Sequence, residues 1–454
     1  LNREQSLENF EDWLAGMARF DTESELRDRA SQTAASARHD IRRDRPDFDE
    51  RLRAMGQPSV LAVVFERDMT VNPEPNKVFA KQLGFEVIEI PGDCGHFGSN
   101  PECYQDQVVE RVAAFLRGPR ERQFQRRTIQ VGEQSRQIYL YLPDAYGSQP
   151  LPVVLALHGY GTTATGLASA HALNQHANAN DYIVVYPQGA GFYSKTAWQE
   201  GEDWVSSWND LASNFPMEAG PHCLPDRLDF PCYPSCGDCK ACDWTSCEDD
   251  VTFLLQVIDE VQESLLTDPQ RLYLLGNSNG GSMVQRLGCD HPERFAAVSI
   301  MIYQMPPGHA CGPDEPLPMF HYYGDLDEGV PPDGQPSPYG WIYTSAEENT
   351  RIWAEAMACE GPAAPWQTPL TREHGLHCEA YTRCGREGTE VVSCGDPLAG
   401  HEWQAQRIPV IPSDCVAPSQ AQDLPRQPRC PAMSPPQALW GMEVVWQFLS
   451  RYRR

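Results

Sequence analysis

Apolar residues in this chain come in short runs, each closed by a polar or glycine-rich turn. Pro152-Val153-Val154-Leu155-Ala156-Leu157 and Arg271-Leu272-Tyr273-Leu274-Leu275 are near-continuous aliphatic and aromatic stretches. So is the run before Gly324, Pro318-Met319-Phe320-His321-Tyr322-Tyr323, and Val391-Val392-Ser393 is a shorter one. Runs without polar alternation read as strands buried on both faces, the pattern of a parallel sheet. Alternating residues at Arg127-Thr128-Ile129-Gln130-Val131 and Gln137-Ile138-Tyr139-Leu140-Tyr141-Leu142 predict a hairpin ahead of them. Between the strands, helical patterns start near Asp250 and at Ser282, and an apolar helix is expected from Ala438 to Leu449. Strands alternating with helices predict an α/β fold around a mostly parallel central sheet.

Gly276-Asn277-Ser278-Asn279-Gly280 lies between one such strand and one such helix, and it fits G-x-S-x-G. Strand, sharp turn and helix form the context of the nucleophile elbow of α/β-hydrolases. The turn lifts the Ser278 hydroxyl above the sheet at a helix N-terminus, where free N–H groups and the helix dipole favour developing negative charge. A Gly/Ser turn without chemistry fits the pentapeptide too, so the remaining partners carry the distinction.

In this fold the order is nucleophile, acid, histidine. Downstream of Ser278, the loop Gly324-Asp325-Leu326-Asp327-Glu328-Gly329-Val330-Pro331 follows a strand and offers Asp327 as the acid, with Asp325 as competitor. Gly400-His401, after the Val391 strand, supplies the base; His374 and His377 are rivals that no strand end is expected to present. Upstream, a strand ends in His158-Gly159-Tyr160-Gly161. The backbone N–H of Tyr160 would join that of Asn279 in an oxyanion hole, with His158 ordering the loop rather than acting as base. Trp198, Trp204 and Trp208 follow Tyr186-Pro187-Gln188-Gly189. Those tryptophans, Trp208 above all, could stack an aromatic acid, a sugar or a polyester; equally they could be core beneath a long loop.

On these residues the chain from about Arg127 onward resembles the polyhydroxybutyrate depolymerase-like esterases, a group that includes feruloyl and acetylxylan esterases. The matching stretches are Ile138-Tyr139-Leu140-Tyr141-Leu142-Pro143, Leu157-His158-Gly159-Tyr160-Gly161, Val185-Tyr186-Pro187-Gln188-Gly189, Trp208-Asn209-Asp210, Asp249-Asp250-Val251-Thr252-Phe253 and Phe295-Ala296-Ala297-Val298, in that order around the elbow. The resemblance implies an α/β-hydrolase fold, a Ser278–His401–Asp327 triad, no cofactor, no metal, and a small or polymeric ester as substrate. It also places a substrate subsite near Trp403, where Leu398-Ala399-Gly400-His401-Glu402-Trp403-Gln404 departs from the family's glycine-rich approach and following Trp-Pro pair.

Residues before about 118 repeat part of this plan. A helical stretch over 7–43 leads to a strand at Ser59-Val60-Leu61-Ala62-Val63-Val64-Phe65, then Asp68. A short helix over 79–83, a strand at Glu86-Val87-Ile88-Glu89-Ile90, His96 and a helix over 108–116 follow. With Ala37-Arg38-His39-Asp40-Ile41 and Gly95-His96-Phe97-Gly98-Ser99-Asn100-Pro101, the segment resembles the C-terminal end of homoserine acetyltransferase-like proteins. That likeness makes Asp68 and His96 acid and base positions, but no serine elbow precedes them. The expected organisation is a partial α/β-hydrolase-like segment over 1–117, a linker over 118–125 and an esterase domain over 126–454.

Composition narrows the setting. The chain has 454 residues, with 36 basic against 63 acidic side chains and a net charge of −27, a balance that repels nucleic acid. No apolar run approaches the roughly 20 residues a spanning helix needs. Sixteen cysteines, six of them within a 223–247 insertion, can be read as disulfides or, at Cys236-x-x-Cys239-x-x-Cys242, as a metal site. The cysteines elsewhere and the absence of histidine inside the insertion favour disulfides, hence an extracellular or periplasmic setting. Cys289 with Cys311, and Cys415 with Cys430, are expected pairs; Cys359, Cys378, Cys384 and Cys394 are expected to pair among themselves. No signal peptide is legible at Leu1-Asn2-Arg3-Glu4-Gln5, so the chain is expected to be processed or to belong to a longer one. The functional expectation is a secreted serine carboxylesterase. The alternatives are a binding protein on a hydrolase scaffold, with the insertion as its surface, and an acyltransferase. Oligomeric state is not legible.

Overall fold

Strands that are apolar on both faces fold only where both faces can be covered. In the computed structural model of this protein, β5 (Leu151–Leu157) is buried along its whole length and divides its side chains between two cores. Val153, Leu155 and Leu157 face one core, Val154 and Ala156 the other. The structure describes residues 124–454 apart from 133, 198–199, 211–220, 241, 386–387, 404–414 and 431–439, together with 61–65, 77 and 86–90.

Two compact units make up the chain, Leu1–Arg122 and Gln123–Arg454. The first contains β1 (Leu61–Phe65) and β2 (Glu86–Ile90), paired in parallel from Leu61↔Glu86 to Phe65↔Ile90. Asp68, His96 and the helices expected over 7–43, 79–83 and 108–116 lie outside the described residues.

The second unit opens with the hairpin β3 (Phe124–Val131) and β4 (Gln134–Tyr141), followed after β5 by α1 (Ala164–Ala170), α2 (Leu173–Asn180) and β6 (Ile183–Pro187). A separate antiparallel hairpin, β7 (Ala190–Lys195) and β8 (Glu202–Ser207), precedes α3 (Asp250–Ser264) and β9 (Thr267–Asn277). Then come α4 (Asn279–Asp290), β10 (Ala297–Met301), β11 (Met319–Gly324) and α5 (Ala346–Ala356). The described elements close with β12 (Ala364–Pro365), α6 (Pro369–Glu373), β13 (His377–Tyr381), β14 (Val391–Asp396) and α7 (Trp440–Leu449). The first hairpin starts earlier than its alternation suggested, because Phe124 stacks on Tyr139 with ring centroids 6.0 Å apart. Phe124 and Gln125 therefore belong to a strand and not to the linker expected over 118–125.

A ten-stranded sheet runs β12-β13-β14-β11-β10-β9-β5-β6-β4-β3. Its centre, from β14 to β6, is parallel, and antiparallel strands close both edges. One face is covered by α3, α4 and α5 through Phe253, Leu254, Val257, Met283, Val284, Leu287 and Trp353. The other is covered by α1, α2 and α7 through Leu167, Leu173, Met442, Val445 and Phe448. From β5 the chain steps one way to β6 and later returns to the other side as β9. That reversal opens a crevice at the C-terminal ends of β5 and β9, the usual ligand position in such sheets.

Seven disulfides join described residues, and the expected Cys289–Cys311 and Cys415–Cys430 pairs are among them. Cys359–Cys384 and Cys378–Cys394 complete the second expected set. The insertion is tied by Cys223–Cys242, Cys232–Cys239 and Cys236–Cys247, so its cysteines are bonded to one another in pairs. No helix among the described residues is long and apolar enough to cross a membrane.

Candidate active site

Ser278 stands at the end of β9 and caps α4 with φ 53° and ψ −123°. A non-glycine residue in such a region costs about 1–3 kcal/mol and persists only where its surroundings impose it. Here the Ser278 N–H donates to Met301 O at 2.9 Å, and Ser278 O accepts from Gly281 N at 2.6 Å. The flanking glycines are required by space. A Cβ on Gly276 would lie 2.1 Å from Gly280 O, and one on Gly280 would lie 2.3 Å from Leu157 O.

His401 and Asp327 reach this turn from separate loops. His401 Nε2 is 2.8 Å from Ser278 Oγ, and His401 Nδ1 is 2.8 Å from Asp327 Oδ2. The Asp327 carboxylate is almost wholly buried, and its other oxygen accepts from Gly329 N at 2.8 Å and Val330 N at 2.9 Å. Asp325, the rival acid, contacts His377 instead, at 3.3 Å. His377 opens β13, contrary to the expectation that no strand end presents it, but it faces Asp325 and not Ser278. His374 stacks on Trp440 with centroids 4.1 Å apart.

The acid and histidine loops are fixed to each other by contacts that no sequence motif marked. Asp325 N donates to Asp396 O at 2.9 Å and Leu326 N to Ala399 O at 3.0 Å. Buried Asp396 accepts from Tyr322 Oη at 2.7 Å and from Leu398 N at 2.9 Å. A Cβ on Gly324 would meet Gly400 O at 2.3 Å, so only glycine lets the loops approach this closely. Tyr322 and Asp396 are 74 residues apart, and local pattern carries no trace of their contact.

The turn after β5 lies against the elbow: a Cβ on Gly159 would be 3.3 Å from Ser278 Cβ. Tyr160 follows that glycine, and Asn279 is the first residue of α4, where backbone N–H groups have no acceptor within the helix. His158 anchors the turn from below. Its Nδ1 lies 2.8 Å from Gly159 O, and its Nε2 accepts from Gly189 N at 2.9 Å and from the Gln188 amide at 3.0 Å. Full burial lowers its pKa from 6.5 to about 4, which keeps the ring neutral in this bonding pattern. Gln188 and Gly189 were legible only as a shared stretch; their role follows from these bonds.

Trp208 takes the core alternative that the sequence left open, and Trp403 is buried where a substrate subsite was expected. Trp208 is fully buried: its indole donates to His158 O at 2.8 Å, and its backbone N donates to the Asn279 side chain at 2.7 Å. Trp403 is buried too and stacks on His171 with centroids 5.0 Å apart. Neither ring has a face open for a ligand, because each fills core beneath a site loop. Trp204 is buried as well, its indole donating to Thr162 O at 3.3 Å, and Trp198 lies outside the described residues. No group of three metal-binding side chains occurs among the described residues.

An alcohol, an imidazole and a carboxylate in line, beside a turn and a helix N-terminus, can deprotonate the alcohol and receive an oxyanion. With the parallel sheet and its elbow, this is the arrangement of an α/β-hydrolase. No family model matches the chain. It is 27% identical over 281 residues to NocK of Nocardia uniformis subsp. tsuyamanensis, a protein named as an esterase, covering 58% of this chain and 68% of that one. It is 29% identical over 163 residues to feruloyl esterase B of Piromyces equi, covering 34% of this chain and 29% of that protein. Acetyl xylan esterase from Aspergillus awamori aligns with 61% of this chain and 94% of its own, at 13% identity and a TM-score of 0.39, too loosely to add to the fold described above. The fold and the elbow are those of an α/β-hydrolase, and the chain is similar in sequence to proteins named as esterases.

Proposed function

We propose that the protein cleaves carboxylic esters through an acyl-enzyme on Ser278. His401 takes the Ser278 proton as Oγ attacks the ester carbonyl. Asp327, its second oxygen already saturated, orients the imidazole and stabilises the imidazolium. The backbone N–H groups of Tyr160 and Asn279 receive the tetrahedral oxyanion, a contribution worth several kcal/mol in enzymes of this kind. His401 then protonates the leaving alcohol, and a water activated by the same imidazole releases the acid. The observation that carries this reading is the pair of 2.8 Å contacts joining Ser278, His401 and Asp327.

The substrates we favour are feruloyl or acetyl esters of polysaccharides, with hydroxyalkanoate esters next. Similarity to a protein named feruloyl esterase supports the first class. A partly open site supports access to a polymer, since the His401 side chain is 37% exposed. Seven disulfides support secretion into an oxidising compartment. We assign the chemistry to the second unit and none to residues 1–117. The test is hydrolysis of methyl ferulate, acetylated xylan, hydroxybutyrate oligomers and p-nitrophenyl acetate by the purified protein. Turnover of p-nitrophenyl acetate with one of the three natural classes strongly preferred is expected. Absence of turnover on all four, in protein that is folded, would refute the reading.

A further inference from the structure

The cysteine-rich insertion has no place in the mechanism above, yet its aromatic side chains end on the oxyanion turn. The Tyr160 ring meets Phe230 edge-on, with centroids 5.2 Å apart and an interplanar angle of 80°, and meets Trp244 at 5.2 Å and 67°. Phe230 and Trp244 in turn pack on Trp341, at 5.2 Å and 6.1 Å. Trp341 is held against the insertion's first cysteine by a β-bridge, Cys223↔Trp341. Cys223 is bonded to Cys242, two residues before Trp244. The aromatic cluster is therefore framed by a disulfide on one side and by Tyr160 on the other.

A second line of contacts runs from the same region to the other candidate oxyanion donor. Ser246 N donates to Ser207 Oγ at 2.7 Å, and Asn209 Nδ2 donates to Glu248 O at 2.8 Å. Asn209 N donates to buried Asp250 at 2.7 Å, and Asp250 is also ion-paired with Arg136 at 2.7 Å. Trp208 sits between these anchors. It bonds the Asn279 side chain through both N and O, and bonds His158 O through its indole. Each of the two residues offered as an oxyanion donor is thus gripped from the insertion side.

We propose that the disulfide-tied insertion is a positioning element of the reaction, with Phe230 and Trp244 fixing the turn that presents the Tyr160 N–H to the oxyanion. This rests on the reading of Tyr160 and Asn279 as the oxyanion hole. The physical reason is that the turn after β5 carries its donor on backbone, outside any helix or strand, so its aim depends on what pins the turn: His158 and the Gly161 N bond to Ser206 O at 2.8 Å on the backbone side, Phe230 and Trp244 on the Tyr160 ring. A donor displaced by a fraction of an ångström still allows substrate to bind but stabilises the transition state less. Loss of the pin should therefore lower kcat and leave KM.

The experiment is a double-mutant cycle with Phe230→Ala and Tyr160→Ala, both of which keep every backbone N–H. Turnover is expressed per active site titrated with a fluorophosphonate, which removes differences in folded fraction. Each single variant is expected to lose about 10-fold in kcat, a fraction of the roughly 10²–10³-fold cost of deleting a donor outright, with KM within twofold. The double variant should lose no more than Tyr160→Ala alone, because that variant already deletes the ring that Phe230 and Trp244 hold. Affinity for a boronic acid that forms a tetrahedral adduct should fall by the same factor as kcat/KM, and Phe230→Tyr, which keeps the ring, should restore it. Unchanged kcat in the single variants, additive losses, or a rise in KM with unaltered boronate affinity would overturn the proposal. If Phe230→Ala does not fold, Tyr160→Ala and the boronate measurement read the same contact from the other side. Ser278→Ala is run in parallel: activity persisting there would discredit the triad itself, a result distinct from failure of the clamp.

Discussion

The two regions that meet at Tyr160 are held together in opposite ways. At the C-terminal edge of the sheet, Ser278, Asp327 and His401 sit on turns fixed by backbone hydrogen bonds and by glycines that no Cβ could replace. Strands buried on both faces stand behind those turns, so hydrophobic burial holds the frame that carries them. Apart from the short hairpin β7–β8, the regular structure of the stretch from β6 to α3 among its described residues is one 3₁₀ turn, Pro234–Cys236, and one isolated bridge, Cys223↔Trp341. Its order comes from three disulfides and an aromatic cluster. The proposed chemistry falls where backbone geometry is set by the sheet. The accessory region, lacking a ladder to constrain it, relies on covalent ties.

The sharpest test on the sheet side is Ser278→Ala. It removes one atom from a turn already held by Met301 and Gly281, so the fold should persist while ester hydrolysis falls by about 10⁴–10⁶. Thermal unfolding and turnover on p-nitrophenyl acetate check both halves of that statement.

Asp327→Asn comes next. An amide cannot stabilise the imidazolium and favours the wrong tautomer, so a loss of up to about 10⁴ in kcat is expected. Asp325→Asn should cost little, since Asp325 contacts exposed His377. Steady-state kinetics of the two variants rank them, and the reverse order would move the acid to Asp325.

Disulfide removal tests the contrast directly. Replacing Cys223 and Cys242 by serine opens a loop closed across a separation of 19 residues, at a cost of about 3 kcal/mol in the chain-entropy picture. Replacing Cys378 and Cys394 severs two strands, β13 and β14, that stay paired through their ladder. Protease susceptibility of the insertion and kcat should suffer in the first variant and much less in the second. Equal loss of activity in both would remove the distinction drawn here.

A smaller effect is expected from acid. Burial lowers the pKa values of His158, His171, His222 and His321 from 6.5 to about 4. The unfolded chain takes up protons near 6.5, whereas the folded one resists until about 4. Stability is therefore full above roughly pH 6.5 and is lost progressively as pH falls toward 4. Three of these rings belong to site loops or to the sheet, so denaturant unfolding at pH 7.5, 5.5 and 4.5 should report a global transition that weakens stepwise. A flat profile would mean that these rings become protonated without unfolding.

The smallest expected effect is that of deleting residues 1–122. The second unit carries its own first hairpin and last helix, so turnover per titrated site should be unchanged. A large fall in corrected turnover would show that the first unit contributes to the reaction.

Much of the sheet was legible because apolar runs at Leu151, Leu272, Met319 and Val391 admit one burial pattern, and because G-x-S-x-G, an acidic loop and Gly-His follow in order. Asp327 could be preferred to Asp325 from its loop, but only the fold brings it to 2.8 Å from His401. The tryptophans mark the limit. Composition identifies Trp208 and Trp403 as large, apolar and near site loops. Whether a ring faces a ligand or supports a loop depends on what covers it, and the cover comes from segments distant in the chain. His158 bonds Gly189, Asp396 bonds Tyr322, and Tyr160 packs on Phe230 and Trp244 for the same reason: local pattern selects strands, turns and residue types, whereas contacts across tens of residues are fixed only when the strands stack and the two cores close around them.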